Sequence, residues 1–169
     1  MPKLVKIGLG EVERGELLRD LNNQAREMEE NPEQYLALQA LRRARPDAAA
    51  FARTFPCDGA FAVYLYAADM SGEEMRCDLQ ARMFFPGTSG LIEDPATGSA
   101  TVAAAALLAD LAGERDGELK LRIGQGVDMG RPSLLLTRVR KENGVVVSAH
   151  VGGRCVRMME GTFRLAGEG

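Results

Sequence analysis

The chain has 169 residues, 46% hydrophobic and 27% charged, which suffices for a single domain with a buried core, and its net charge of −3 offers no general attraction for nucleic acid. With one histidine and three irregularly spaced cysteines, we expect neither a metal site nor a disulfide framework. No apolar run approaches the roughly 20 residues of a membrane span, so we expect a cytoplasmic protein with no membrane partner.

The first third of the chain is predicted to be polar and helical. Residues 3–9 alternate weakly, as in a short strand. Helical patterns follow over residues 11–30, 32–44 and 46–54. Pro46 is predicted at the first position of the last helix, where its missing N–H costs nothing.

The remainder is dominated by strand patterns. They cover residues 60–67, 75–85, 118–123, 133–140, 145–151 and 155–165. In the third of these, apolar residues alternate with Lys120 and Arg122, so one face is predicted to be buried and the other wet. Asn143-Gly144 predicts a hairpin turn. The only histidine, His150, lies in a strand pattern and is interpreted as a structural or surface residue.

One alanine-rich helix is predicted over residues 97–112, between the two groups of strands. Residues 102–109 have no polar face, which predicts a helix surrounded on every side. The expected fold class is therefore α+β, with an antiparallel barrel-like sheet wrapped around one central buried helix and extra helices at the N-terminal side.

The segment Glu93-Asp94-Pro95-Ala96-Thr97-Gly98-Ser99-Ala100 stands at the start of this helix. The first N–H groups of a helix are free and form an anion site, for which a substrate carboxylate is the natural occupant. Gly98 permits close approach and Ser99 adds a hydroxyl donor, while Asp94 can hold an amine or move a proton. Alternatively, Asp94 merely caps the helix with Pro95 at its first position.

Five motifs are spread over the second part of the chain. They are Arg82-Met83-Phe84-Phe85-Pro86, Glu93-Asp94-Pro95-Ala96-Thr97-Gly98-Ser99-Ala100, Gln125-Gly126 with Gly130-Arg131-Pro132-Ser133, Val151-Gly152-Gly153 and Gly161-Thr162-Phe163. Together they resemble the phenazine-biosynthesis PhzF-like isomerases of the diaminopimelate-epimerase-like superfamily. The resemblance covers residues 46–165 and corresponds to the C-terminal half of family members. We therefore assign residues 46–169 to a PhzF-like C-terminal domain and residues 1–45 to a region without an assigned role.

The resemblance implies two similar halves, each a barrel-like sheet around a central helix, with the active site where the two helix starts meet. Family members use no cofactor and move a proton on a small carboxylate substrate. By motif, Asp94 would be catalytic and would bind substrate together with Thr97, Gly98 and Ser99. The epimerases carry a cysteine where this chain has Thr97, which argues against thiol-based racemisation.

The family's N-terminal half supplies a catalytic glutamate and a Gly-His pair, and nothing before Pro46 resembles it. The resemblance thus implies that this chain alone holds an incomplete active site. We expect it to be completed by a complementary N-terminal half or by a second copy in a homodimer. The alternative is a non-catalytic carboxylate-binding or assembly domain.

Overall fold

The computed structural model describes residues 29–54, 62–68, 77–88 and 90–162, which form helices and one six-stranded sheet. In chain order the elements are α1 (Pro32–Arg43), α2 (Ala48–Thr54), β1 (Val63–Ala68), β2 (Leu79–Gly87), β3 (Gly90–Asp94), α3 (Gly98–Leu111), β4 (Gly117–Gln125), a 3₁₀ turn (Val127–Met129), β5 (Ser133–Glu142) and β6 (Val145–Gly153). The predicted α+β class is confirmed. The predictions for residues 3–9 and 11–28 lie outside the described residues, as do residues 60–61, 75–76 and 163–165 of the predicted strands.

The strand order is β1-β2-β4-β5-β6, with β3 also paired to β2. Residues 79–84 of β2 pair with β1 along one edge, so β3 and β4 share the other edge. β3 takes residues 83–87 and runs antiparallel, whereas β4 takes residues 79–81 and runs parallel. The expectation of a purely antiparallel sheet is therefore wrong at this one pair, and the ends of β3 and β4 are brought together.

The turn between β5 and β6 follows the predicted hairpin. Asn143 has φ 53° and Gly144 has φ 82°, the left-handed pair that a tight turn between twisted strands requires. The prediction of a hairpin at Asn143-Gly144 is confirmed.

Helix α1 lies beside β1, and α2 follows it in the chain. Leu38 and Leu41 of α1 form an apolar cluster with Leu65 and Ala67. α2 begins later than predicted because Asp47 provides its cap, accepting a hydrogen bond from the N–H of Ala50 at 2.9 Å. The prediction that Pro46 opens this helix is wrong.

Helix α3 lies against β4, β5 and β6. Ala105 and Ala109 are buried against Val139, while Leu107 and Leu111 on the opposite side are 53% and 72% exposed. The described sheet thus covers one side of α3, and the predicted enclosure is not seen among these residues. An all-apolar helix surface indicates what a helix can bury, but the surrounding strands decide what is buried.

The C-terminal segment 154–162 has no helix or strand and is exposed throughout, although a strand was predicted over 155–165. Val156, Met158 and Met159 are each at least 80% exposed. Because a strand requires a neighbour for its backbone hydrogen bonds, an apolar alternation alone does not produce one. Within the described ranges, no helix has the length and apolar character needed to cross a membrane.

Candidate functional site

The segment that links β3 to α3 is a short turn between two fixed ends. Asp94 is the last residue of β3, and Thr97 is the N-cap of α3, with extended backbone. No side chain among the described residues caps α3, and its first turn has no acidic residue, so within this part of the chain its first N–H groups remain available. The interpretation of Asp94 as a cap with Pro95 at the first helical position is wrong, because α3 begins at Gly98.

Gln125 fastens this turn to the end of β4. Its side chain is fully buried, at 0% exposure. Its Nε2 donates to the carbonyl oxygen of Asp94 at 2.7 Å and to Oγ1 of Thr97 at 3.0 Å. Its Oε1 accepts from the N–H of Thr97 at 3.2 Å. Three hydrogen bonds from one buried amide therefore fix the turn that carries the predicted site.

The Thr97 hydroxyl is used inside the turn. It accepts the hydrogen bond from Gln125 and donates to Oδ2 of Asp94. A hydroxyl has one proton to donate, so Thr97 orients the Asp94 carboxylate and has no further proton for a ligand. Among the described residues, Oδ1 of Asp94 makes no hydrogen bond, and the side chain is partly exposed.

The loop that follows β4 lies directly against the turn that links β3 to α3. Gly126 has φ 75°, and a Cβ atom there would lie 2.8 Å from the Pro95 carbonyl oxygen and 2.4 Å from that of Arg131. The N–H groups of Met129 and Arg131 both donate to the carbonyl oxygen of Gly126. Glycine is therefore required for backbone conformation and for close approach of the two loops.

Arg82 holds β3 in place just before Asp94. Its guanidinium binds Glu93 with two hydrogen bonds of 2.8 and 2.7 Å. Its Nη1 also donates to three carbonyl oxygens at the end of α1, those of Leu41, Arg42 and Ala44. The hydrogen bond to Glu93 raises the pKa of Arg82. One cation thus ties α1, β2 and β3 together and stabilises the C-terminus of a helix.

The structure brings the four predicted site residues into one turn. Gly98 is partly buried, and a Cβ atom there would lie 3.6 Å from Cγ1 of Val151, while Ser99 is exposed. The start of α3 is therefore partly accessible from solvent beside Asp94. No group of His, Cys, Asp or Glu side chains within the described ranges has the arrangement of a metal site.

Sequence reasoning did not single out Gln125, Arg82 or Glu93 as positioning residues. All three lie in the motifs that carry the resemblance, which was the available signal, but a motif does not say which atoms meet. Tyr64 was also missed: its hydroxyl lies 2.9 Å from Oγ1 of the buried Thr101 in α3. Burial raises the pKa of Tyr64, and the hydrogen bond to Thr101 partly offsets this.

The described residues form an α+β domain in which Asp94 stands in an ordered turn just before a helix. This agrees with the fold class that the sequence predicted. Residues 35–161 match the family described as phenazine biosynthesis-like protein, and this chain belongs to that family. Over 127 residues, or 73% of its length, it is 36% identical to an uncharacterized isomerase of Mesorhizobium japonicum. The chain spans 41% of the length of that relative. The family match begins within α1, so residues 35–45 belong to it as well.

Proposed function

We propose that this chain is part of a cofactor-independent isomerase that binds a small carboxylate at the start of α3 and presents Asp94 to it. The observation that carries this proposal is the Gln125 network, which holds Asp94 and Thr97 in a defined geometry while the α3 amides stay uncapped. Family membership and the relative's description as an isomerase support the reaction class.

The proposed chemistry assigns a separate task to each residue. The N–H groups of Gly98 and Ser99 bind the substrate carboxylate, helped by the positive end of the helix dipole. Asp94 takes up or returns a proton through Oδ1, while Thr97 holds Oδ2. The isomerisation removes a proton from one carbon and delivers one to another, so no electrons are exchanged with a cofactor.

We propose that two acid–base groups share this transfer, one on each side of the substrate. Asp94 is one of them. Because the chain spans 41% of the isomerase that it resembles, we propose that the second group is a glutamate of a complementary N-terminal half. A second copy of this chain is the less favoured source, since it would supply another aspartate turn instead of a glutamate.

Calorimetry with anthranilate tests the carboxylate site. The unaltered chain is expected to bind it, and Gly98→Val is expected to abolish binding, since the larger side chain covers the first N–H groups next to Val151. Gly113→Val is the matched control, because a Cβ atom at Gly113 has no neighbour within 4 Å. Equal binding by both variants would remove the helix start from consideration.

Deuterium incorporation from solvent tests the catalysis. The resemblance to phenazine-biosynthesis isomerases implies a dihydroanthranilate-type substrate. We expect negligible exchange into such a compound by this chain alone, and exchange once the remaining N-terminal part of the Mesorhizobium japonicum relative is added. Asp94→Asn should remove the exchange. Rapid exchange by the chain alone would show that half a site suffices. Carboxylate binding without exchange in the mixture would favour a non-catalytic binding domain.

A further inference from the structure

Three adjacent strands bring basic side chains onto one face of the sheet. The register places Lys120 of β4 directly opposite Arg138 of β5, and Arg138 directly opposite His150 of β6. Arg122 and Arg140 lie in the neighbouring rows on either side. All five side chains are exposed. Because side chains alternate along a strand and Leu119 and Leu121 face α3, this basic face lies on the side of the sheet away from α3.

Like charges placed directly opposite each other on neighbouring strands destabilise a sheet. Glu118 relieves part of this cost, with its carboxylate 2.6 Å from Nζ of Lys120 and 3.9 Å from Nε of Arg138. The pKa of Glu118 is lowered, first by the hydrogen bond from Lys120 and then by the charges of Lys120, Arg138 and Arg140. The basic face therefore stabilises a negative group placed on it.

A cavity of about 570 Å³ opens on this face. Lys120, Arg122, Arg138 and His150 line it together with the half-exposed Leu136. This volume lies within the range of small-molecule pockets, about 300 to 1,000 Å³. The cavity thus combines an apolar floor with a basic rim.

Two features make this cavity accessible to a ligand. Asp78 is the one acidic residue among the described residues that line the cavity, and its Oδ2 already accepts a hydrogen bond from the N–H of Arg122 at 2.6 Å. Gly152 of β6 lies opposite Leu136 and provides no side chain, and no described residue would lie within 4 Å of a Cβ atom placed there. The space beside the apolar floor therefore depends on a glycine.

We propose that this cavity binds a small molecule that carries at least two negative charges and a flat ring, a nucleoside diphosphate being the class that fits. The face of the ring lies on Leu136 in the space left by Gly152, and the charged groups meet Lys120, Arg122 and Arg138. The site lies on the opposite face of the sheet from α3, and it does not depend on the isomerase proposal.

Calorimetry of the full chain with ADP at low salt tests this proposal, with adenosine as the uncharged counterpart. ADP is expected to bind at least tenfold more tightly than adenosine. Gly152→Leu is expected to weaken ADP binding at least tenfold by filling the cavity, and the strand tolerates this change because the new side chain enters open space. Arg138→Gln is expected to weaken it similarly by removing the central cation.

Arg53→Gln, which removes an exposed cation from α2, is the matched control and should leave ADP binding within twofold. Absence of ADP binding by the unaltered chain would overturn the proposal, as would ADP binding unaffected by both cavity variants. Single-stranded DNA is the further probe. If a 20-nucleotide strand binds more tightly than ADP and Gly152→Leu weakens neither, the face is a polyanion surface and the small-molecule proposal is wrong.

Discussion

Two glycines in the loop after β4 have the same backbone conformation but different surroundings. Gly126 has φ 75° and Gly130 has φ 69°, both in the left-handed region. A Cβ atom would contact two carbonyl oxygens at Gly126 and nothing within 4 Å at Gly130. Substitutions at these two glycines therefore separate the energetic cost of a left-handed backbone from the cost of a steric clash.

We predict that Gly130→Ala lowers the free energy of unfolding by about 1 to 2 kcal/mol, the cost of a left-handed alanine. Gly126→Ala should cost clearly more, about 3 kcal/mol or above, because Pro95 must move as well. Urea unfolding measures both, and anthranilate binding should be weakened only in Gly126→Ala. Equal losses of stability would show that the close approach of the two loops does not matter.

The contribution of Arg82 to the free energy of unfolding can also be measured separately. Its side chain and that of Glu93 are 8% and 15% exposed, so removing the cation leaves a poorly solvated carboxylate. We predict that Arg82→Met destabilises the fold by about 3 to 5 kcal/mol. Arg140→Met is the control: that residue pairs with Glu142 at the surface, where a pair contributes about 1 kcal/mol or less. The double variant Arg82→Met, Glu93→Leu tests the coupling between the two side chains. If its free energy of unfolding falls by the sum of the losses in Arg82→Met and Glu93→Leu alone, the two side chains are not coupled.

Among the secondary-structure elements, the contact between β1 and α3 depends on the Tyr64–Thr101 hydrogen bond. Because the folded state raises the pKa of Tyr64, folding favours the neutral phenol. Its contribution is fully present below the unfolded pKa of about 10 and is lost as the pH rises through the higher folded value.

We therefore predict that the free energy of unfolding falls as the pH rises from about 9 to 11, and that Tyr64→Phe makes this fall shallower. Urea unfolding of both proteins across this range separates the effect of Tyr64 ionisation from that of the lysines, because the lysines titrate in both proteins. Tyr66→Phe is the control, since that tyrosine lies on the same strand and is 43% exposed. Identical slopes for the unaltered protein and Tyr64→Phe would contradict the assignment.

Local patterns in the sequence predicted most of these elements. Residues 97–112 were predicted as a helix and form α3, and Asn143-Gly144 forms the expected turn. β3 was missed because its five residues include two acids and lack alternation. The charged Glu93 is tolerated in β3 because Arg82 of the neighbouring strand β2 forms an ion pair with it.

Periodicity failed where the outcome depends on a distant partner. The parallel pairing of β2 with β4, the one-sided cover of α3 and the absence of a strand over residues 154–162 all depend on what lies alongside. In the candidate site, the alanine-rich pattern predicted the helix start, and the motif before it singled out Asp94. Neither could predict Gln125, whose bonds join residues that are close only after folding.

At the scale of the whole molecule, apolar side chains remain uncovered. Leu107 and Leu111 on α3, with Val156, Met158 and Met159 beyond β6, are between 53% and 89% exposed. Soluble monomers seldom expose apolar patches of more than a few hundred Å². A chain that spans 41% of its relative is expected to bury such surface against a partner.

We predict a homodimer in the absence of a complementary half, with equivalent faces paired by two-fold symmetry. Light scattering should give twice the chain mass of 18.3 kDa. Leu107→Lys should shift the protein toward monomer, whereas Leu36→Lys, which changes a 63% exposed leucine on α1, should not. A stable monomer at high concentration would contradict the prediction.

The parallel pairing of β2 with β4 also has a consequence for the order of folding. β4, β5 and β6 follow one another through short connections and can assemble early, because closing a short loop costs little entropy. Residues 79–81 can join 123–125 only after the intervening chain, which includes β3 and α3, is ordered. Gly144→Ala, in the β5–β6 turn, should therefore slow refolding in stopped-flow experiments. Ala81→Gly, in the late pairing, should mainly accelerate unfolding. The Asp94 turn, held between β3 and β4, would then be among the last parts of the molecule to form.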